Sequence, residues 1–179
     1  MSNKLKGMVI FLIVVTIGVG MYSHKLNIIS KEVTPIKLPN IEKIKVEDFT
    51  TSIYLPNPTT KKLYTEEISI DGNLMSKDII LNNIVKQLIN NLEEKSILKK
   101  GSYKYEVYLK NKDIYLDLDS KILLSAKDPQ EEILLIYSFV NSLLTPGGFN
   151  KVVILVDGNP VEKVNFINIS KSYKLNKDI

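Results

Sequence analysis

A chain of 179 residues is long enough for one domain and a short appendage, and 44% apolar with 25% charged residues is ordinary for a globular protein. There is no cysteine, which excludes disulfides, thiolate metal sites, a cysteine nucleophile and a lipid-modified cysteine anchor. Every basic residue is lysine, so no planar guanidinium is present to grip phosphate or carboxylate at two points. The formal charge of +4 comes largely from Lys4, Lys6 and Lys25, which precede the first acid, Glu32. From residue 26 onward 21 lysines face 20 acids, no basic excess for nucleic acid.

Residues 1–6 form a short basic stub. Gly7 to Tyr22 then runs sixteen residues without a charge. As a helix it would span ~24 Å, slightly short of a ~30 Å hydrocarbon core, a gap that Lys6, Lys25 and an interfacial Tyr22 can close. The segment is expected to be a transmembrane signal anchor. Gly18 and Gly20 also have the spacing of a cleavage site, and a buried core helix is the third reading. Lys4 and Lys6 favour a cytoplasmic N-terminal side, which places the rest outside the cytoplasmic membrane. Residues 23–46, with Pro35 and Pro39, read as a linker reaching roughly 80 Å when extended and ~27 Å as a coil.

Residues 47–179 read as one exported domain. Thr51–Leu55 is a strand ended by Pro56-Asn57-Pro58, and Lys62–Ile70 is a second, followed by the Asp71-Gly72-Asn73 turn. Ser76 is placed to cap a helix running to about Leu92, with Ile80, Ile84 and Leu88 on its apolar stripe. Tyr103–Leu109 and Ile114–Leu118 form a hairpin about Asn111-Lys112-Asp113. In its second strand Tyr115, Asp117 and Asp119 share the face opposite Ile114, Leu116 and Leu118. Asp128-Pro129 and Glu131 open a second helix, which ends before Pro146-Gly147-Gly148. Lys151–Val156 is a nearly continuous apolar strand closed by Asp157-Gly158-Asn159-Pro160. Val164–Ile169 reads as a short further strand and Ser170–Ile179 as an irregular tail. The expected fold is α/β (α+β): a mixed sheet with two helices packed on it, in the order β-β-α-β-β-α-β, with that extra short strand.

Chemistry-bearing residues are sparse. His24 is the single histidine and lies beside the apolar segment, so a histidine-based triad or zinc cage has too few members within one chain. Asp113, Asp117 and Asp119 are close enough in sequence for a hard cation or an acid/base pair, but a solvated strand face is the simpler reading, and they lack the spacing of a dedicated calcium loop. Glu66 and Glu67 point to opposite faces of their strand. Gly147-Gly148 follows a helix and presents no helix N-terminus to phosphate. No catalytic, cofactor-binding or metal site is therefore assigned. The tyrosines are more suggestive, and Tyr54, Tyr103, Tyr105 and Tyr115 are the candidate interaction surface, for protein or glycan.

Several segments in order carry a family resemblance: Ile53-Tyr54-Leu55-Pro56, the Lys62–Ile70 strand, Gln87-Leu88-Ile89-Asn90-Asn91-Leu92, Ile114-Tyr115-Leu116-Asp117-Leu118-Asp119-Ser120, Val152-Val153-Ile154-Leu155-Val156-Asp157-Gly158 and Asn168-Ile169-Ser170. Together they resemble the GerMN domain of sporulation and germination proteins, over roughly Thr51 to Asn176. The resemblance implies a non-enzymatic module outside the cytoplasmic membrane. Its fold is similar to the ring-building domains of the forespore channel complex, so self-association or docking to envelope proteins is the expected role. A module binding cell-wall glycan or peptide, with peptidoglycan as partner, is the alternative. A hydrolase built on carboxylates such as Asp113, Asp117 or Glu67 is a third.

Overall fold

The computed structural model describes residues 48–71 and 76–179. The stub, the apolar segment at 7–22 and the linker at 23–46 lie outside the described residues. Among the described residues no helix is long and apolar enough to cross a membrane.

The expected mixed α/β class is present. The elements run β1 (Phe49–Asn57), β2 (Lys62–Ile70), α1 (Lys77–Glu94), β3 (Tyr105–Lys110), β4 (Asp113–Leu118), α2 (Ser120–Leu124), α3 (Pro129–Leu144), β5 (Lys151–Val156) and β6 (Ser172–Tyr173). The strands divide into two sheets where one was expected. β1 and β2 form an antiparallel pair, and β3-β4-β5-β6 form a four-stranded mixed sheet in which β4 and β5 are parallel.

The reason lies in α3. From Ile133 to Leu144 it carries no charge, and nearly all of its residues from Leu134 onward are buried. A helix apolar around its whole circumference needs cover on more than one side. α3 contacts β1 on one side and β5 on another, and packs on α1 as well. Its few polar residues bond inward. Ser142 Oγ accepts the Tyr54 amide at 2.9 Å and donates to the Ser138 carbonyl at 2.6 Å, so a polar contact joins the hairpin to the helix.

The start of α3 follows the sequence closely. Asp128 Oδ1 accepts the Glu131 amide at 2.7 Å, Pro129 occupies the first turn, and Glu131 Oε2 accepts the Lys127 amide at 3.0 Å. Helix α1 begins after Ser76 as expected, but the Ser76 hydroxyl bonds the Asp78 carboxylate and makes no side-chain cap bond to the helix. The α1 C-terminus turns through Ser96 at φ 58°. The Ser96 amide reaches Glu93 O and the Ile97 amide reaches Leu92 O, the paired bonds of a Schellman motif.

Three further expectations are corrected. The five-residue α2, not anticipated, starts on Asp119, whose side chain accepts the Lys121 amide. Val164–Ile169 is not a strand, because its amides are already taken. Those of Phe166 and Ile167 donate to Glu132 Oε2 at 2.6 and 2.8 Å, and Ile169 N donates to Glu162 O. The tail is not irregular throughout: Ser172–Tyr173 adds the last strand on β5, and Tyr173 is 1% exposed. Asn141 then pins the tail from α3, donating to Asn176 O at 2.6 Å and accepting from Asn176 N at 3.0 Å.

Candidate interaction surface

Alternation along β3, β4 and β5 divides the four-stranded sheet into two faces. Val107, Ile114, Leu116, Leu118, Val152, Ile154 and Val156 are buried toward the helices. The intervening residues look outward and are exposed or half-buried, so no described element seals that face. Register places Tyr108 opposite Tyr115, Tyr115 beside Val153, and Val153 opposite Ser172, a row running across all four strands. The row Glu106, Asp117 and Leu155 flanks it on one side and the row Lys110, Asp113 and Lys151 on the other. The face thus has an aromatic and aliphatic centre with charges of both signs around it.

The four tyrosines singled out from the sequence do not share a surface. Tyr54 is 8% exposed, which removes it from any interaction surface. Tyr105 has the parity of the helix-facing residues of β3 and is half-buried, and burial raises its hydroxyl pKa. Tyr103 precedes β3 and donates from its hydroxyl to Lys99 O at 2.6 Å. Tyr115 alone of the four stands on the open face. Its cross-strand partner Tyr108, 45% exposed, was missed. The two-residue turn at Asn111-Lys112, with Asn111 at φ 59°, is the signal that sets this pairing. The Tyr108 hydroxyl donates to Glu106 Oε2 at 2.6 Å, and that bond raises its pKa.

Apart from Glu67, which is exposed on β2, the carboxylates considered for chemistry are held by backbone amides or lysines. Asp113 pairs with Lys151 at 3.5 Å. Asp117 Oδ1 accepts the Gly158 amide at 2.9 Å, and Asp157 Oδ1 accepts the Ser120 amide at 3.2 Å. The Asp157 amide in turn donates to Leu118 O. These three bonds clasp the C-terminal ends of the parallel strands β4 and β5, and Gly158 sits at φ 80°, where a side chain would be strained. Asp119 is 6% exposed. Burial would raise its pKa, but the Lys121 and Lys104 amides and the Lys121 ammonium outweigh that and hold it below the usual carboxylate range. Glu66 forms a 2.7 Å ion pair with Lys95. Among the described residues no group of three or more His, Asp or Glu side chains is placed to hold a metal ion.

A family profile described as Germane, sporulation and spore germination, matches residues 52–162. The chain belongs to the Germane family. The match spans β1 through the turn after β5, so the clasp joining Asp117 to Gly158 and Asp157 to Ser120 lies within the Germane segment. The strand β6 and the Asn176 staple lie beyond it. A crystal structure of a protein described as a lipoprotein from Clostridium perfringens is 22% identical, with 72% of this chain and 89% of that chain covered at a TM-score of 0.42. No curated protein sequence matches the chain.

Proposed function

We propose that this Germane domain is a non-enzymatic module, anchored at the membrane through residues 7–22 and exposed outside the cytoplasm, that assembles or scaffolds a protein complex of the cell envelope. The observation that carries the reading is the open face of the β3-β4-β5-β6 sheet. Tyr108, Tyr115, Val153 and Leu155 form its centre, and Glu106, Lys110, Asp113 and Lys151 lie around them. An apolar, aromatic centre with a polar surround is the usual composition of a protein-binding patch. Family membership supports the same role, because Germane domains are described by sporulation and spore germination. The occupied carboxylates add support, since Asp117, Asp119 and Asp157 serve the backbone.

The test uses the full chain in mild detergent, crosslinked and sized by light scattering, beside a Tyr108→Glu/Tyr115→Glu variant. Self-association or capture of envelope proteins that the variant loses is the expected result. A strict monomer with no captured protein overturns the reading. Retention on peptidoglycan by the same tyrosines would replace it with a wall-binding module.

A further inference from the structure

A second surface is distinguished by charge. The segment between α1 and β3 and the segment from α2 to the start of α3 enclose a groove of ≈ 760 Å³. Lys99, Lys100, Lys121 and Lys127 line it, and no Asp or Glu does. The domain is otherwise close to balanced in charge, so this is a local concentration. Lys121 is 72% exposed and has one partner, Asp119 at 3.5 Å. Lys99, Lys100 and Lys127 form no ion pair among the described residues.

The walls are built. The Schellman turn at Ser96 fixes the exit from α1, Glu93 Oε1 accepts the Gly101 amide at 2.9 Å, and Tyr103 is tied to Lys99 O. On the other side Asn165 Nδ2 donates to Ala126 O at 3.0 Å, and Lys127 N is held by Glu131. Helix α2 sends Ile122 and Leu123 into the core and leaves Leu124 54% exposed in the groove, with half-buried Tyr103 also lining it.

We infer that this groove docks an acidic protein segment that also carries an apolar side chain. The lysines supply charge complementarity, and Leu124 with Tyr103 supplies an apolar floor for which a bare polyanion has no use. Lysine ammoniums act as single point charges, which suits several carboxylates spread along a peptide better than one fixed anion. The inference deepens the scaffold reading by giving a partner's chemistry at a surface separate from the open sheet face. Its failure would leave the crosslinking test of that face intact.

The experiment measures fluorescence anisotropy of a labelled peptide, Gly-Asp-Leu-Asp-Glu-Leu-Asp-Gly, with the full chain in nonionic detergent. Parallel titrations use the same peptide with Asn and Gln for the acids, inorganic polyphosphate, and phosphatidylglycerol vesicles. Lys99→Glu/Lys100→Glu should weaken the acidic peptide at least about fivefold, more at low salt. Lys86→Glu/Lys174→Glu, the same charge change at exposed positions elsewhere, should leave it unaltered. Leu124→Ser should weaken the acidic peptide about threefold, the scale of a partly buried apolar side chain, and leave polyphosphate unchanged. Circular dichroism of each variant checks folding, and Lys127→Glu replaces the double variant if that one does not fold. Equal loss from both charge reversals overturns the inference. So does tighter binding of polyphosphate or vesicles that is indifferent to Leu124.

Discussion

Tyr108 and Tyr115 stand opposite each other across the β3–β4 ladder, on the face of the sheet that the helices leave open. The pairing follows from a two-residue turn, since a shift of one position would exchange the two faces. Buried Ile114 and Leu116 enforce the same register from the other side. The tyrosines are therefore held outward by the core.

The clasp between the ends of β4 and β5 predicts a local stability effect. Asp117→Ala removes the acceptor for the Gly158 amide, and Asp157→Ala removes that for Ser120. Each should cost about 1 kcal/mol in urea unfolding. The double variant should cost less than the sum if the two act as one unit. Full additivity would show that the two bonds are independent.

Glu132 is fully buried, with Oε2 accepting two amides and Oε1 without a hydrogen-bond partner among the described residues. Glu132→Ala should destabilise by about 3 kcal/mol, because two part-buried amides lose their acceptor. Limited proteolysis should then cut within 163–169 before the rest of the domain. Cleavage that starts elsewhere would remove Glu132 from this role.

Much of this architecture was legible in the sequence, and the exceptions share a cause. Strand alternation and the Asp128-Pro129 start signal are local, and both led to the elements observed. The division into two sheets depends on α3 being buried around its circumference, which its polar Ser138, Asn141 and Ser142 disguise as a one-sided pattern. Tyr54 was grouped with surface tyrosines because nothing near it announces that the β1–β2 hairpin packs on α3. Glu132 and Asn141 find their partners 34 and 35 residues away, through side-chain-to-backbone bonds that no short pattern encodes. The pairing of Tyr108 with Tyr115 depends on the turn being the two residues Asn111-Lys112, where the sequence suggests the three residues Asn111-Lys112-Asp113.

Asn141 should prove necessary for the order of the tail. Asn141→Leu leaves the Asn176 amide and carbonyl without that partner and should cost about 2 kcal/mol. Hydrogen exchange should show lost protection at 173–177, with β4 unaffected at short times. Unchanged protection there would contradict the staple.

Ser96 offers the opposite sign. It adopts a positive φ that a side chain disfavours, and the Schellman bonds hold it there. Ser96→Gly should therefore raise stability, by about 1 kcal/mol in urea unfolding. A destabilised variant would show that the Ser96 side chain matters more than its backbone.

The pH dependence follows from lowered carboxyl pKa values. The Glu131 amide lowers Asp128, the Lys127 amide lowers Glu131, and backbone amides hold Asp119 low against its burial. A folded-state pKa below the unfolded one stabilises fully above the ordinary carboxylate range, about 4, and that stability is lost as pH falls through the lowered value. Urea midpoints should be flat from pH 7 to 5 and fall by pH 3, with a shallower fall for Asp119→Asn. A decline already under way between pH 7 and 5 would contradict this assignment.

The most direct test of the scaffold reading places a photo-crosslinking residue at position 153, the centre of the open row, in the full chain within its native membranes. The same residue at position 86, exposed on α1, serves as control. The account predicts discrete protein adducts at 153 that disappear in Tyr108→Glu/Tyr115→Glu, and none at 86. Absence of adducts at 153, or equal yield at both positions, would contradict it.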